Sequence, residues 1–144
     1  MTHTTLRWMD TAARVLVALL FLYSGFGKLM DPGAVATRLG GIGFPFPDIV
    51  AYMTIALELG GAIALIAGYR VVVLSLLLAG FTLLTALLFH QFWAVDAAQQ
   101  AGQRIHFLKN LAIIGGLWFV ARTQLVARVS SSHRSLVSDA TAHH

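Results

Sequence analysis

Four long apolar runs alternate along the chain with short polar or glycine- and proline-rich stretches, at about 12–29, 49–67, 71–89 and 105–121. Crossing a bilayer core takes about 20 mostly apolar residues in a helix, because hydrocarbon offers the backbone amides no hydrogen-bond partner. The pattern therefore predicts four transmembrane helices. The second and third are joined only by Gly68, Tyr69 and Arg70, a tight helical hairpin with glycine as its stop signal. The first loop carries Asp31-Pro32-Gly33 and then Gly40-Gly41-Ile42-Gly43-Phe44-Pro45-Phe46-Pro47. Its glycines and prolines argue against continuous helix, and its apolar content places it at the membrane interface. The third loop, about 90–104, opens His90-Gln91-Phe92-Trp93 and reads as an amphipathic interfacial stretch with a Trp anchor. The expected fold is an all-α, four-transmembrane-helix bundle with interfacial loops between helices 1 and 2 and between helices 3 and 4. It divides into a cytoplasmic segment (1–11), the membrane domain (12–121) and a mobile cytoplasmic tail (122–144). His143 and His144, native or appended, carry no weight.

Composition narrows the class. Apolar residues make up 58% and charged residues 11% of the 144, against roughly 25% charged in an average soluble domain. With a mean hydropathy of +0.77, the chain lacks the polar side chains to cover a soluble surface, which excludes soluble globular, disordered and collagen-like classes. The absence of cysteine excludes disulfides, zinc–thiolate sites and iron–sulfur ligation. The charge of +4 comes from ten scattered Lys and Arg with no basic run, so membrane topology explains it better than nucleic acid. Arg7, Arg14, Arg70, Arg122, Arg128 and Arg134 fall on one side, and Lys28, Arg38, Arg104 and Lys109 on the other. That asymmetry favours both termini in the cytoplasm. The stretch from Val15 to Tyr23 resembles a signal-peptide core, but Ser24-Gly25-Phe26-Gly27-Lys28 follows without a small-x-small cleavage site, so the first span is expected to be retained.

Ionisable residues inside spans are costly, about 2.5–3.5 kcal/mol at the bilayer centre on insertion scales, and so are functional candidates. Glu58 is the sharpest, because it sits near the middle of the second span and a carboxylate is too short to snorkel out. Its structural explanation is an ion pair with Arg14 or Lys109. Its functional one is a proton carrier. Ala56, Gly60, Ala64 and Gly68 form a small-residue stripe roughly opposite Glu58, while Thr54, Gly61, Ala62 and Leu65 share its face, so both faces read as helix contacts. On the first span Arg14, Ala18, Phe21, Gly25 and Lys28 form one stripe; on the fourth, His106, Lys109, Ala112, Ile113 and Gly116 do, with Asn110 at its flank. Arg14, Lys28 and Lys109 fit snorkelling to headgroups as well as a polar pocket. His90 and His106 fit interfacial hydrogen bonding better than ligation. No metal, flavin or haem motif, phosphate loop or Ser–His–Asp set is evident.

The ordered set of Arg14, Phe21-Leu22-Tyr23-Ser24-Gly25-Phe26-Gly27-Lys28-Leu29, Gly43-Phe44-Pro45, Glu58-Leu59-Gly60-Gly61, Gly68 and Lys109-Asn110-Leu111-Ala112 resembles the DoxX family of small four-helix membrane proteins. The likeness covers Arg14 to Ala121. It implies a bundle in a bacterial cytoplasmic membrane and an association with membrane redox systems, either quinone-linked assemblies or partners of soluble oxidative-stress enzymes. Two functions follow. In the first, the chain is a quinone-linked redox component: Glu58 carries the proton, Arg14, Lys28, Lys109, Asn110, His90 and His106 supply the polar pocket or ion pairs, and a partner oxidoreductase supplies the electrons. In the second, it is a non-enzymatic subunit that assembles or anchors a larger complex. In both, the expected contacts are lipid and a protein partner or a second copy. Transport fits less well, because the four spans show no inverted repeat.

Overall fold

The computed structural model describes residues 3–142, with side chains for residues 4–130. His143 and His144 lie outside the described residues. The element order is α1 (His3–Met30), α2 (Pro32–Gly41), α3 (Pro47–Ile66), α4 (Val71–Phe89) and α5 (Ala97–Ala142). Four of these are long and apolar enough to cross a membrane: Thr4–Met30, Pro47–Ile66, Val71–Phe89 and Ala97–Ser130. The protein is an all-helical bundle with four candidate membrane-spanning helices and one short helix.

The short helix revises the first loop. Asp31 caps α2, its Oδ1 accepting from the Ala34 N–H at 3.0 Å, and Pro32 takes the first helical position, where its missing N–H costs nothing. The glycines end this helix: Gly43, at φ 79°, donates to the Gly40 carbonyl while Phe44 donates to that of Leu39. The residues that interrupt continuous helix therefore also start and stop a short one. The third loop is also shorter than expected, because α5 begins at Ala97, with Gln99 and Gln100 donating to the Asp96 carbonyl. Phe92 and Trp93 fold back on Phe107, ring centroids 5.6 and 5.7 Å away.

The long helices pack as a ring. α1 lies against α3, α3 against α4, α4 against α5, and α5 against α1; α2 rests on α3 and touches α1. One apolar core fills the half of the bundle nearest the α3–α4 hairpin, through Phe21, Leu65, Leu78, Leu117 and Val120. A second, smaller core joins α2 to α3 at the opposite end, through Ala36, Leu39 and Ala51. The outward faces keep Leu16, Phe26, Ile63, Leu77, Trp118 and Phe119 exposed, the arrangement hydrocarbon solvates.

Of the glycines in the small-residue stripe, Gly68 comes close to another helix, at Arg14, and Gly60 does not, while Gly61 makes the contact expected of the Glu58 face. Ala56 and Gly60 are exposed, and a Cβ built at Gly60 meets nothing within 4 Å. A Cβ at Gly25 meets Leu59 at 2.9 Å and one at Gly61 meets Leu78 at 3.3 Å, so α1 and α4 approach α3 there. On α1 the expected stripe holds, with Ala18, Phe21 and Gly25 buried. On α5 the inward face is rotated by one position: Asn110, Leu117, Val120 and Ala121 are buried, while Ala112 is exposed.

The hairpin depends on Gly68, which holds φ 77° and donates to the Leu65 carbonyl at 3.1 Å. A Cβ there would sit 2.9 Å from Arg14 Nη1. Gly68→Ala is expected to lower stability by about 1–2 kcal/mol, the cost of a left-handed non-glycine residue. Detergent unfolding curves check this, with Gly60→Ala as a comparison expected to stay near wild type.

Candidate functional site

Between the two apolar cores the bundle carries a layer of polar side chains, and there it is hollow. A cavity of about 530 Å³ is lined by all five helices. Its polar groups are Ser24 and Lys28 from α1, Arg38 from α2, Thr54 and Glu58 from α3, Thr82 and Thr85 from α4, and Lys109 and Asn110 from α5. His90, the C-cap of α4, completes them. Phe21, Phe81 and Phe89 form apolar wall, and Leu20, Tyr23 and Ile113 border the side between α1 and α5.

Glu58 is 3% exposed. Its Oε1 accepts from Lys28 Nζ at 2.5 Å and from the Ser24 hydroxyl at 3.2 Å. Lys28 Nζ also donates to Ser24 Oγ at 3.0 Å, which closes a three-membered polar cluster. Glu58 Oε2 has no hydrogen-bond partner among the described residues. The partner cation thus corrects the expected Arg14 or Lys109. Lys28 lies one turn beyond Ser24 on the buried stripe, and Gly25 brings α1 close enough to α3 for its chain to reach inward. Its ammonium also stands 5.8 Å from the Phe81 ring centroid.

The threonines present oxygen lone pairs. Thr54, Thr82 and Thr85 donate their hydroxyl protons to the carbonyls of Ala51, Leu78 and Thr82, so toward the cavity each can act only as an acceptor. Asn110 is 8% exposed and keeps its side-chain amide free of hydrogen bonds among the described residues. At the outer rim His90 stacks on His106, centroids 5.1 Å apart. His90 Nδ1 pairs with Gln103 Oε1 at 2.9 Å, and Lys109 Nζ stands 3.5 Å from His106 Nδ1.

The structure therefore brings Lys28, Glu58, His90, Lys109 and Asn110 to one cavity, with His106 touching its rim. Arg14 is elsewhere. It lies by Gly68 at the other end of α3, where Nη2 donates to Thr11 at 3.1 Å and the guanidinium meets the negative end of the helix dipole. Sequence reasoning did not single out Arg38 or the threonines of α4. Arg38 carried a weak signal as the single basic residue of a ten-residue segment, and Thr82 and Thr85 read as ordinary tolerated hydroxyls in an apolar helix. Among the described residues no group of three or more His, Cys, Asp or Glu can hold a metal ion.

Residues 9–91 match the DoxX family. The protein belongs to the DoxX family. The inner membrane protein YqjF of Escherichia coli is 35% identical over 111 residues, 77% of this chain and 80% of that protein. The inner membrane protein YphA of Escherichia coli is 29% identical over 128 residues, 83% of this chain and 91% of that protein. No solved structure matches the chain. The family match ends at Gln91, short of Lys109 and Asn110, so this DoxX protein's own structure is what brings those two residues to Glu58.

Proposed function

We propose that this integral membrane protein of the DoxX family is a component of a quinone-linked redox system, with the cavity around Glu58 receiving a quinone headgroup. One observation carries the reading: a carboxylate buried inside a membrane bundle, satisfied on one oxygen and unpartnered on the other, lines a cavity. The volume falls within the ~300–1,000 Å³ range of small-molecule sites, and the walls combine much apolar surface with a few polar groups. A bound quinone would supply the electron-carrying ring and two carbonyl oxygens that take up protons. On the protein side, Glu58 holds or passes a proton through Oε2. Lys28 balances its charge, and the Asn110 amide orients a carbonyl oxygen through an N–H donor. A partner oxidoreductase supplies the electrons. Leu20 and Tyr23 of α1 and Ile113 of α5 give the ring an apolar border.

The names of both relatives support placement in a bacterial inner membrane, and the Lys/Arg asymmetry supports cytoplasmic termini. The exposed Ala56–Gly60 strip on α3 favours a second reading, an assembly subunit that packs against a partner helix.

Glu58→Gln tests the first reading, because it keeps the shape and replaces the carboxylate by a neutral amide. Native mass spectrometry of protein taken gently from its own membranes is expected to show a quinone adduct. The variant is expected to hold it at least about tenfold more weakly, a difference of about 1.4 kcal/mol. A folded protein with no quinone, or an adduct indifferent to Glu58→Gln, overturns the redox site. A stoichiometric protein partner without the adduct selects the assembly reading.

A further inference from the structure

The cavity holds more positive charge than its carboxylate can balance. Lys28, Arg38 and Lys109 line it from three different helices, and Glu58 is the only acidic residue that does so. Lys28 and Glu58 neutralise each other. Arg38 and Lys109 have no carboxylate partner among the described residues. The Arg38 guanidinium lies over the Phe89 ring, 5.2 Å from its centroid, and Lys109 has only the His106 contact. Asp31, Asp48 and Asp96 stand at the same end of the bundle, but none lines the cavity; Asp31 is occupied in capping α2.

Two uncompensated cations beside a low-dielectric wall attract an anion more strongly than they would in water. Arg38 is suited to an oxyanion. Its flat face is spent on Phe89, which holds the group at the mouth, while its N–H edge makes no hydrogen bond among the described residues and can grip two oxygens at once. Lys109 faces the same space from α5, and the nearby Asn110 offers a further donor. Beside them Leu20, Tyr23 and Ile113 give an apolar flank along which an acyl chain can lie.

We propose that the mouth of this cavity is a binding site for a phosphate-ester oxyanion, gripped by Arg38 and Lys109. A phospholipid headgroup and a soluble phosphate ester share that chemistry. The site shares its cavity and Asn110 with the quinone reading, but its test contains no quinone, so the two fail separately.

The test uses the full chain in detergent, supplied with equal amounts of phosphatidylglycerol and of diacylglycerol with the same acyl chains and no phosphate, and observed by native mass spectrometry. Phosphatidylglycerol is expected to be retained at least about tenfold more than diacylglycerol, about the worth of one charge-assisted hydrogen bond. The double variant Arg38→Gln/Lys109→Gln loses that preference. Arg104→Gln, which removes a cation at the same end that does not line the cavity, keeps it. A second arm offers inorganic phosphate without lipid. Saturable binding there that vanishes in the double variant, with no lipid preference, assigns the site to a soluble ester. Both substituted side chains are exposed, so matched melting curves establish that the variants fold. Three outcomes overturn the site: no anion preference in either arm, a preference that survives the double variant, or equal loss with Arg104→Gln.

Discussion

Lys28→Met is expected to cost about 3 kcal/mol of stability, the lower end of the range for removing one partner of a buried ion pair. The lower end applies because the Lys28 side chain keeps 29% of its surface exposed, whereas that of Glu58 keeps 4%. The loss comes from what is left behind. Without the ammonium, Glu58 Oε1 retains only the Ser24 hydroxyl, and Oε2 already lacks a partner. A carboxylate that is 3% exposed is then left without its bonded counter-ion. The double variant Lys28→Met/Glu58→Gln should recover to within about 1 kcal/mol of wild type, because a neutral amide in the same volume leaves no charge to compensate. Unfolding in mixed micelles gives the four corners of the cycle. If the double variant is as unstable as Lys28→Met, the lysine acts through packing and the charge pair contributes nothing.

The second large effect is expected at Gly25. A Cβ there would lie 2.9 Å from both Leu59 Cγ and Cδ2 and 3.1 Å from Glu58 Cβ. The crowded atoms include the root of the Glu58 side chain, so turning the Leu59 side chain cannot relieve the contact fully. Gly25→Ala should force α1 away from α3 and cost about 1–3 kcal/mol, as overpacking does elsewhere. Two residues along the same helix, a Cβ at Gly27 meets nothing within 4 Å. Gly27→Ala should therefore stay within about 0.5 kcal/mol of wild type. The same unfolding assay separates the pair, and equal effects at the two positions would remove the close approach as the reason for glycine at 25. Gly25→Ala also moves Lys28 relative to Glu58, so under the proposed quinone function it should weaken retention of the ring along with stability.

Much of this architecture is legible in the chain itself. Hydrocarbon imposes one requirement on a spanning segment, about 20 apolar residues with their backbone bonds internal. A one-dimensional pattern is enough to show that, and it locates the four long helices and the hairpin at Gly68. The buried stripe of α1 was equally readable, since helical periodicity puts Arg14, Ala18, Phe21, Gly25 and Lys28 on one line. Glu58 stood out because a short acidic side chain at mid-span has no inexpensive surroundings.

What the pattern could not supply was distance between helices. In lipid both the inward and outward faces are apolar, so the strip of small residues at Ala56 and Gly60 reads like a contact although it is exposed, and α5 reads one position out of phase. Proline and glycine in the first loop mean a break in one frame and a helix start and stop in another, and only the Asp31 cap shows which applies. The partner of Glu58 was decided by tertiary structure alone. Arg14, Lys28 and Lys109 are all within plausible depth of it, but the approach at Gly25 delivers Lys28 and leaves Arg14 at the far end of α3. The sequence by itself determined four helices long and apolar enough to cross a membrane and a carboxylate within one of them. The packing of five helices determined which cation meets that carboxylate and that Arg38, Lys109 and Asn110 share its cavity, because helix separation and rotation follow from contacts between residues far apart in the chain.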